Sequence, residues 1–218
     1  MCGRYTLGTE EDALIEAFDV PSLGFDFVPS YNIAPGQRAP VVAEDRSGRR
    51  MGLLTWGLAP SWMDEPKSGF INARADSVAS KPAFREAFQR RRCLIPADGF
   101  YEWQHTADGK KPHWFHAADG GLLSFAGVWE SWSRPGSEPR HTFAILTTEA
   151  NSDTAPVHDR MPVVIEVTDR AQWLSRATPA RIVRALLRPA PAGTLAVRPV
   201  SNRVNRLSED DPGLLESA

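Results

Sequence analysis

The chain has 218 residues, 42% of them hydrophobic and 24% charged, with a formal net charge of −2. That balance fits a folded globular protein and excludes a polycation held on nucleic acid by overall charge, while leaving a local basic patch open. Two cysteines, no apolar run near ~20 residues and no paired Cys/His spacing exclude a disulfide framework, a membrane-spanning helix and a zinc site. The amino-terminal stretch lacks the apolar core of a signal peptide, so a reducing cytoplasm is the expected setting, and neither metal nor cofactor is expected.

In chain order, "TEEDALIEAF" predicts a first helix, with Thr9 as its cap, Asp12 at the third helical position, and Leu14, Ala17 and Phe18 on one face. The stretch "DVPSLGFDFVPSYNIAPGQRAP" is punctuated by proline and glycine and reads as irregular. "MGLLTWGL" reads as a strand. "KPAFREAFQRRR" reads as a second helix, with Pro82 in its first turn and Phe84, Ala87 and Phe88 at helical spacing.

Six strand-like runs follow: "RCLIPA", "GFYEWQ", "KPHWFHA", "LLSFAGVWES", "HTFAILTTEA" and "MPVVIEV". Asp108-Gly109 and Asp119-Gly120 have the composition of hairpin turns between them. "TPARIVRALLR" predicts a third helix, capped by Thr178 with Pro179 in its first position, and "LAVRPVS" a last strand. The fold class expected is α+β, a mostly antiparallel, β-barrel-like core with peripheral helices, formed as one domain over residues 1–218. Seven tryptophans suggest stacking or anchoring surfaces.

Cys2 follows the initiator methionine directly, and Gly3 permits close approach of another molecule to the backbone. Removal of Met1 would leave Cys2 with a free α-amine, whose ordinary pKa of ~7.7–8.0 keeps a useful fraction neutral, beside an intrinsically nucleophilic thiol. Two chemistries fit. A terminal amine serving as base for its own thiol makes an amidohydrolase or peptidase of the N-terminal nucleophile kind. An amine and a thiol on adjacent carbons can instead capture one aldehyde, first as a Schiff base and then as a thiazolidine ring.

Other motifs carry polar groups suited to either. In "FINARADS", Asn72 and Arg74 alternate, so a strand there turns both to one face. Arg74 offers a planar fork for phosphate. Glu102 lies between Tyr101 and Trp103, and a carboxylate among aromatics has its pKa raised by desolvation, which suits a general acid/base. His158, in "APVHDRMPVVI", is of the type that shuttles protons near neutrality. "YNIAPGQ" places Pro35 and Gly36 in a loop, and "APSWMD" places Trp62 and Met63 in another, where tryptophan suits base stacking.

Taken together and in order, "MCGRY", "YNIAPGQ", "WGLAPSW", "INARADS", "CLIPADGFYEW", "FAGVWE", "ILTTEAN", "VHDRMPVVI" and "PVSNRVN" resemble the SOS-response-associated peptidase (SRAP) family over residues 2 to about 205. The resemblance implies a DNA-damage-response protein that recognises abasic sites in single-stranded DNA and crosslinks to them covalently. Autoproteolytic loss of Met1, lyase activity and crosslink reversal are implied with it. Cys2 matches the crosslinking cysteine, and Asn72, Glu102 and His158 match the other active-site positions. Arg4 and Arg74 match DNA-phosphate contacts, while Trp103, Thr148, Pro35 and Trp62 fall in stretches that line the DNA channel. A cytoplasmic monomer, nucleoid-associated when bound to DNA and with no membrane partner, is implied too. Asp76, Ser77 and Met63 depart from residues common in the family. A hydrolase of the N-terminal nucleophile kind and a non-covalent single-strand-binding module remain the rival readings.

Overall fold

The computed structural model describes residues 2–64, 69–136 and 138–218. Twelve strands and four short helices are found among them, the strands in two sheets. The smaller sheet has the order β12 (Leu195–Pro199), β8 (Gly109–Ala117), β7 (Gly99–Thr106), β1 (Tyr5–Leu7), β2 (Ser30–Ile33). The larger has the order β11 (Arg160–Pro162), β10 (Arg140–Glu149), β4 (Gly48–Trp56), β3 (Arg38–Asp45), β6 (Arg92–Ala97), β9 (Leu123–Trp132), with β5 (Asn72–Arg74) also paired to β10. Because β9 pairs back to β10, the larger sheet returns on itself. The ring is thin at two seams, Val42 opposite Leu94 between β3 and β6, and Thr55 and Phe143 near the parallel β4–β10 junction. The core is therefore barrel-like and mostly antiparallel, with β10 running parallel to β4 and β5.

Strands β6, β9 and β10 form where alternating or continuous apolar runs are bounded by turn residues, and their inward side chains fill one core with Tyr5, Trp56, Phe100, Phe115, Phe125 and Phe143. Tyr5 meets Trp56 edge-on at 5.2 Å between ring centroids, and Phe100 stacks on Phe115 at 5.0 Å. Most tryptophans serve this interior rather than a stacking surface. Trp56 and Trp173 are buried with their indole N–H groups donating to the carbonyls of Ile71 and Cys93, each at 2.8 Å. Cys93 is a buried thiol within β6.

Several expectations are corrected. The first helix, α1, covers Glu11–Phe18 and Glu10 stands at its cap, because the Thr9 hydroxyl is drawn away to Asp98 Oδ1 at 2.5 Å. The second, α2, is confined to Arg85–Arg90, with residues 81–84 as turns around Pro82. Residues 19–40 are not wholly irregular: they contain β2 and the start of β3. The 107–108 turn closes the β7–β8 hairpin, but Asp119-Gly120 carries the chain from one sheet to the other, and β8 pairs with β7 and β12.

Of "MPVVIEV" only Met161 and Pro162 are strand, at the end of β11 (Arg160–Pro162), followed by an isolated bridge from Val164 to Phe125. The helix predicted over "TPARIVRALLR" is α4, confined to Ala180–Ala185, with Pro179 rather than Thr178 at its cap. An uncapped helix α3, Arg170–Leu174, was not foreseen; it forms because Trp173 and Leu174 are buried and Arg92 bonds the carbonyl of Trp173. Among the described residues no helix is long and apolar enough to cross a membrane.

Candidate active site

Strand β1 sets the position of the amino-terminal residues. Tyr5 stands opposite Phe100 on β7, and Tyr101 N–H donates to the Arg4 carbonyl at 2.9 Å. The same antiparallel register carried outward sets Gly3 opposite Glu102, so Cys2 emerges beside that carboxyl without any long-range loop. On its other side β7 packs closely on β8 at Gly99, where a Cβ would strike the Phe115 carbonyl and the Trp114 indole.

Cys2 is fully buried, and its carbonyl accepts a hydrogen bond of 2.8 Å from Asn72 Nδ2. Asn72 is delivered from the other sheet, where β5 lies parallel to β10 with Asn72 opposite Ile145. Its amide oxygen is buried and takes no donor among the described residues. Burial pushes the Cys2 thiol far up from its ordinary pKa, and the negative charge of Glu102 adds to the shift. The resting thiol is therefore protonated. Met1 lies outside the described residues.

Glu102 is 3% exposed, and desolvation raises its pKa while the positive charge of His158 opposes the rise. Its Oε2 is 3.9 Å from His158 Nε2, longer than a hydrogen bond, so a proton passes directly between them only once the pair closes to about 3 Å. His158 sits at the end of a loop shaped by Asn151, whose Oδ1 accepts from the N–H groups of Asp153 and Thr154, each at 3.1 Å. The other imidazole nitrogen, Nδ1, faces two groups with opposite demands. The Arg160 N–H donates to it at 2.9 Å, which needs a lone pair, while Asp159 Oδ1 at 2.9 Å accepts a hydrogen bond from it whenever Nδ1 carries a proton. Each protonation state of the ring thus has a partner, as a proton shuttle requires.

The four polar residues singled out from sequence, Cys2, Asn72, Glu102 and His158, come together at the junction of the two sheets. The surrounding residues are less uniform. Trp103 is held by its indole N–H donating to Asn205 Oδ1 at 2.8 Å. Arg74 is exposed and forked onto Asp76 at 2.9 and 3.1 Å. Thr148 is nearly buried on β10, opposite Met161. Pro35 is exposed in a turn fastened to β4 by Gly36 N–H donating to the Trp56 carbonyl at 2.8 Å. Trp62 is 60% exposed on a loop whose Met63 carbonyl accepts from Trp132 and Arg134, each at 2.7 Å.

Arg4 turns inward instead: its Nη1 donates to Asn32 Oδ1 at 2.6 Å and to the Val204 carbonyl at 2.8 Å, tying the carboxy-terminal segment to β1 and β2. Asn205, His105 and Lys110 line the groove beside Glu102 and were not singled out from sequence; only Asn205 lay in a quoted motif, "PVSNRVN". Among the described residues no cluster of His, Cys, Asp and Glu is arranged to hold a metal ion.

Fold and site together define a two-sheet α+β protein with a buried cysteine just ahead of its first strand, an amide and a carboxyl beside it, and an imidazole next to the carboxyl. A family model described as SOS response associated peptidase (SRAP) matches residues 1–207. Abasic site processing protein YoqW of Bacillus subtilis is 38% identical over 223 residues, covering all of both chains. Abasic site processing protein HMCES of Gallus gallus is 33% identical over 222 residues, 86% of this chain and 66% of that one. A crystal structure of a Bacteroides thetaiotaomicron protein shares the fold with a TM-score of 0.86 at 22% identity over the full length of both. The chain belongs to the SRAP family.

Proposed function

We propose that this protein processes abasic sites by capturing their aldehyde in single-stranded DNA as a thiazolidine on Cys2, with the chain acting as one domain and as a monomer. The observation that carries the reading is the buried Cys2 with Asn72 bonded to its carbonyl and Glu102 close to its thiol, His158 standing next to Glu102. The names of the relatives, abasic site processing proteins, give the substrate class.

The reaction begins once Met1 is gone. The open-chain form of the abasic deoxyribose presents an aldehyde at C1′. The neutral α-amine of Cys2 attacks it, the carbinolamine loses water, and a Schiff base remains. The thiol then adds across the C=N bond, sulfur to C1′ and hydrogen to nitrogen, closing the five-membered ring with no further loss. Amine-first order follows from the raised thiol pKa, since a protonated buried thiol is a poor first nucleophile. Glu102, itself shifted upward, supplies and removes the proton at the sugar oxygen and at the thiol, and His158 relays it outward. The open amide oxygen of Asn72 suits the freed α-amine as a donor. Holding aldehyde and aminothiol together gives a large effective concentration. A Schiff base left open would instead undergo β-elimination, so the thiol decides between protecting the strand and cutting it.

The test is a denaturing gel of Met1-free protein incubated with a single-stranded oligonucleotide bearing one abasic site. A heat-resistant band in the parent and its loss in Cys2→Ala is the expected result. An equally resistant band from Cys2→Ala, or none from the parent, would overturn the proposal.

A further inference from the structure

Arg170, at the start of α3, is a buried cation that no negative charge balances; its side chain is 5% exposed. Its Nη1 donates to the Ala17 carbonyl in the last turn of α1 at 2.5 Å, and its guanidinium lies over the Phe18 ring, 4.3 Å from the centroid. The buried Nε has no acceptor, and among the described residues no carboxylate pairs with the side chain. The neighbouring charge is Arg49, of like sign, which adds to burial in pushing the Arg170 pKa down. Arg49 itself is turned to Asp19 and Glu44, at 3.8 and 3.5 Å. Closing the end of α1 uses one edge of the guanidinium only. The orphaned N–H and the missing counter-ion are costs that the packing does not explain.

Arg170 forms part of the wall of a groove of about 940 Å³, a volume within the range that takes small ligands. Ala13 and Ala17 of α1, Leu122, Val164 and Thr194 line the same groove, so its surface is largely apolar. Ser124 lines it too, at 1% exposure, and its Oγ is a second buried polar atom without a partner. Three exposed carboxylates, Glu16, Asp119 and Glu166, complete the lining. This groove shares no residue with the one beside Glu102. Strand β8 measures their separation: His113 stands opposite Glu102, and Ala117, on the groove, is four residues further along, about 13 Å of strand.

The charges select the ligand. One buried cation balances one negative charge, and three exposed carboxylates repel a polyanion, nucleic acid included. A guanidinium edge matches the planar fork of a carboxylate. We propose that this groove binds a monocarboxylate on an apolar stem, with the carboxylate at Arg170 and the stem against Ala13 and Ala17. A medium-chain fatty acid and the apolar carboxy-terminus of a peptide share that chemistry. The site is independent of capture at Cys2.

The experiment is calorimetric titration of the full chain with octanoate, octanamide, N-acetyl-Ala-Ala-Leu, its carboxamide and inorganic phosphate. One or both acids are expected to bind, the tighter of the two naming the source, and each amide to bind at least ~10-fold more weakly than its acid, the cost of a lost charged hydrogen bond. Arg170→Lys keeps the charge but loses the fork, and is expected to weaken the acids by a similar factor. Ala13→Phe places a ring in the groove from an exposed helix position and is expected to abolish binding with the parent's melting temperature unchanged. Should Arg170→Lys fail to fold, Ala13→Phe and the acid–amide comparison decide alone. The proposal is overturned if neither acid binds, if the amides or phosphate bind as tightly as the acids, or if either folded variant binds as the parent does.

Discussion

Replacing Glu102 by glutamine separates what the carboxyl costs the fold from what it gives the reaction. Desolvation raises its pKa above the ordinary 4.5, so between that value and the raised one the folded chain holds a proton that the unfolded chain has released. Stability falls as pH rises through that window, and the deficit persists above it. Glutamine keeps the shape and never ionises. Glu102→Gln is therefore expected to melt higher than the parent at neutral pH, with the difference closing as the pH falls to 4.5 and below.

The chemistry moves the other way. Loss of a positioned acid/base slows a reaction by roughly 10²–10⁴-fold. His158, 3.9 Å away at rest, comes within reach when the pair closes on substrate and then shares the proton transfer, which places the effect near the lower end. That is ~10²-fold, or about 2.7 kcal/mol in the barrier. Quantified gel time courses of crosslink formation and reversal, beside thermal melts across the pH range, give both numbers. Unchanged rates in both directions, with no gain in melting temperature, would refute the reasoning.

Three further outcomes are expected. Asn32→Ala removes an acceptor for Arg4 and donors to the carbonyls of Arg206 and Glu209 at 3.0 and 2.6 Å; about 3 kcal/mol of stability should go with them, read by denaturant unfolding. Gly99→Ala forces a Cβ against the Phe115 carbonyl, so it should lower the melting temperature and, by shifting β7 under Glu102, slow crosslinking in the surviving folded protein. Any residue retained ahead of Cys2 blocks its α-amine and should abolish the heat-resistant band without weakening binding to an oligonucleotide carrying tetrahydrofuran, an unreactive abasic analogue, measured by gel and anisotropy respectively.

Much of the sheet architecture was legible because its strands are strongly apolar and bounded by turn residues: β6 spans the same residues, Arg92–Ala97, that "RCLIPA" predicts. Short elements were not. Strand β1 has three residues and β2 four, and both owe their existence to partners remote in sequence, as Tyr5 pairs with Phe100 and Ile33. Thr9 illustrates the same limit, since its hydroxyl chose Asp98, a residue no helix-capping pattern includes.

At the site, Cys2, Asn72, Glu102 and His158 were legible through chemistry and motif; the upward shift of Glu102 comes from burial, not from Tyr101 and Trp103, which its strand turns to the opposite face. The inward turn of Arg4 was not legible, because Asn32 and Val204 are reachable only in the folded chain.

The account stands most directly on the mass of the crosslinked species. Intact-mass analysis of the purified adduct should give the Met1-free protein plus the abasic oligonucleotide less one water. Borohydride treatment should leave that mass unchanged, because a thiazolidine has no C=N bond to reduce. An adduct that retains Met1, or one that gains two hydrogens on borohydride treatment, would contradict capture by the Cys2 aminothiol.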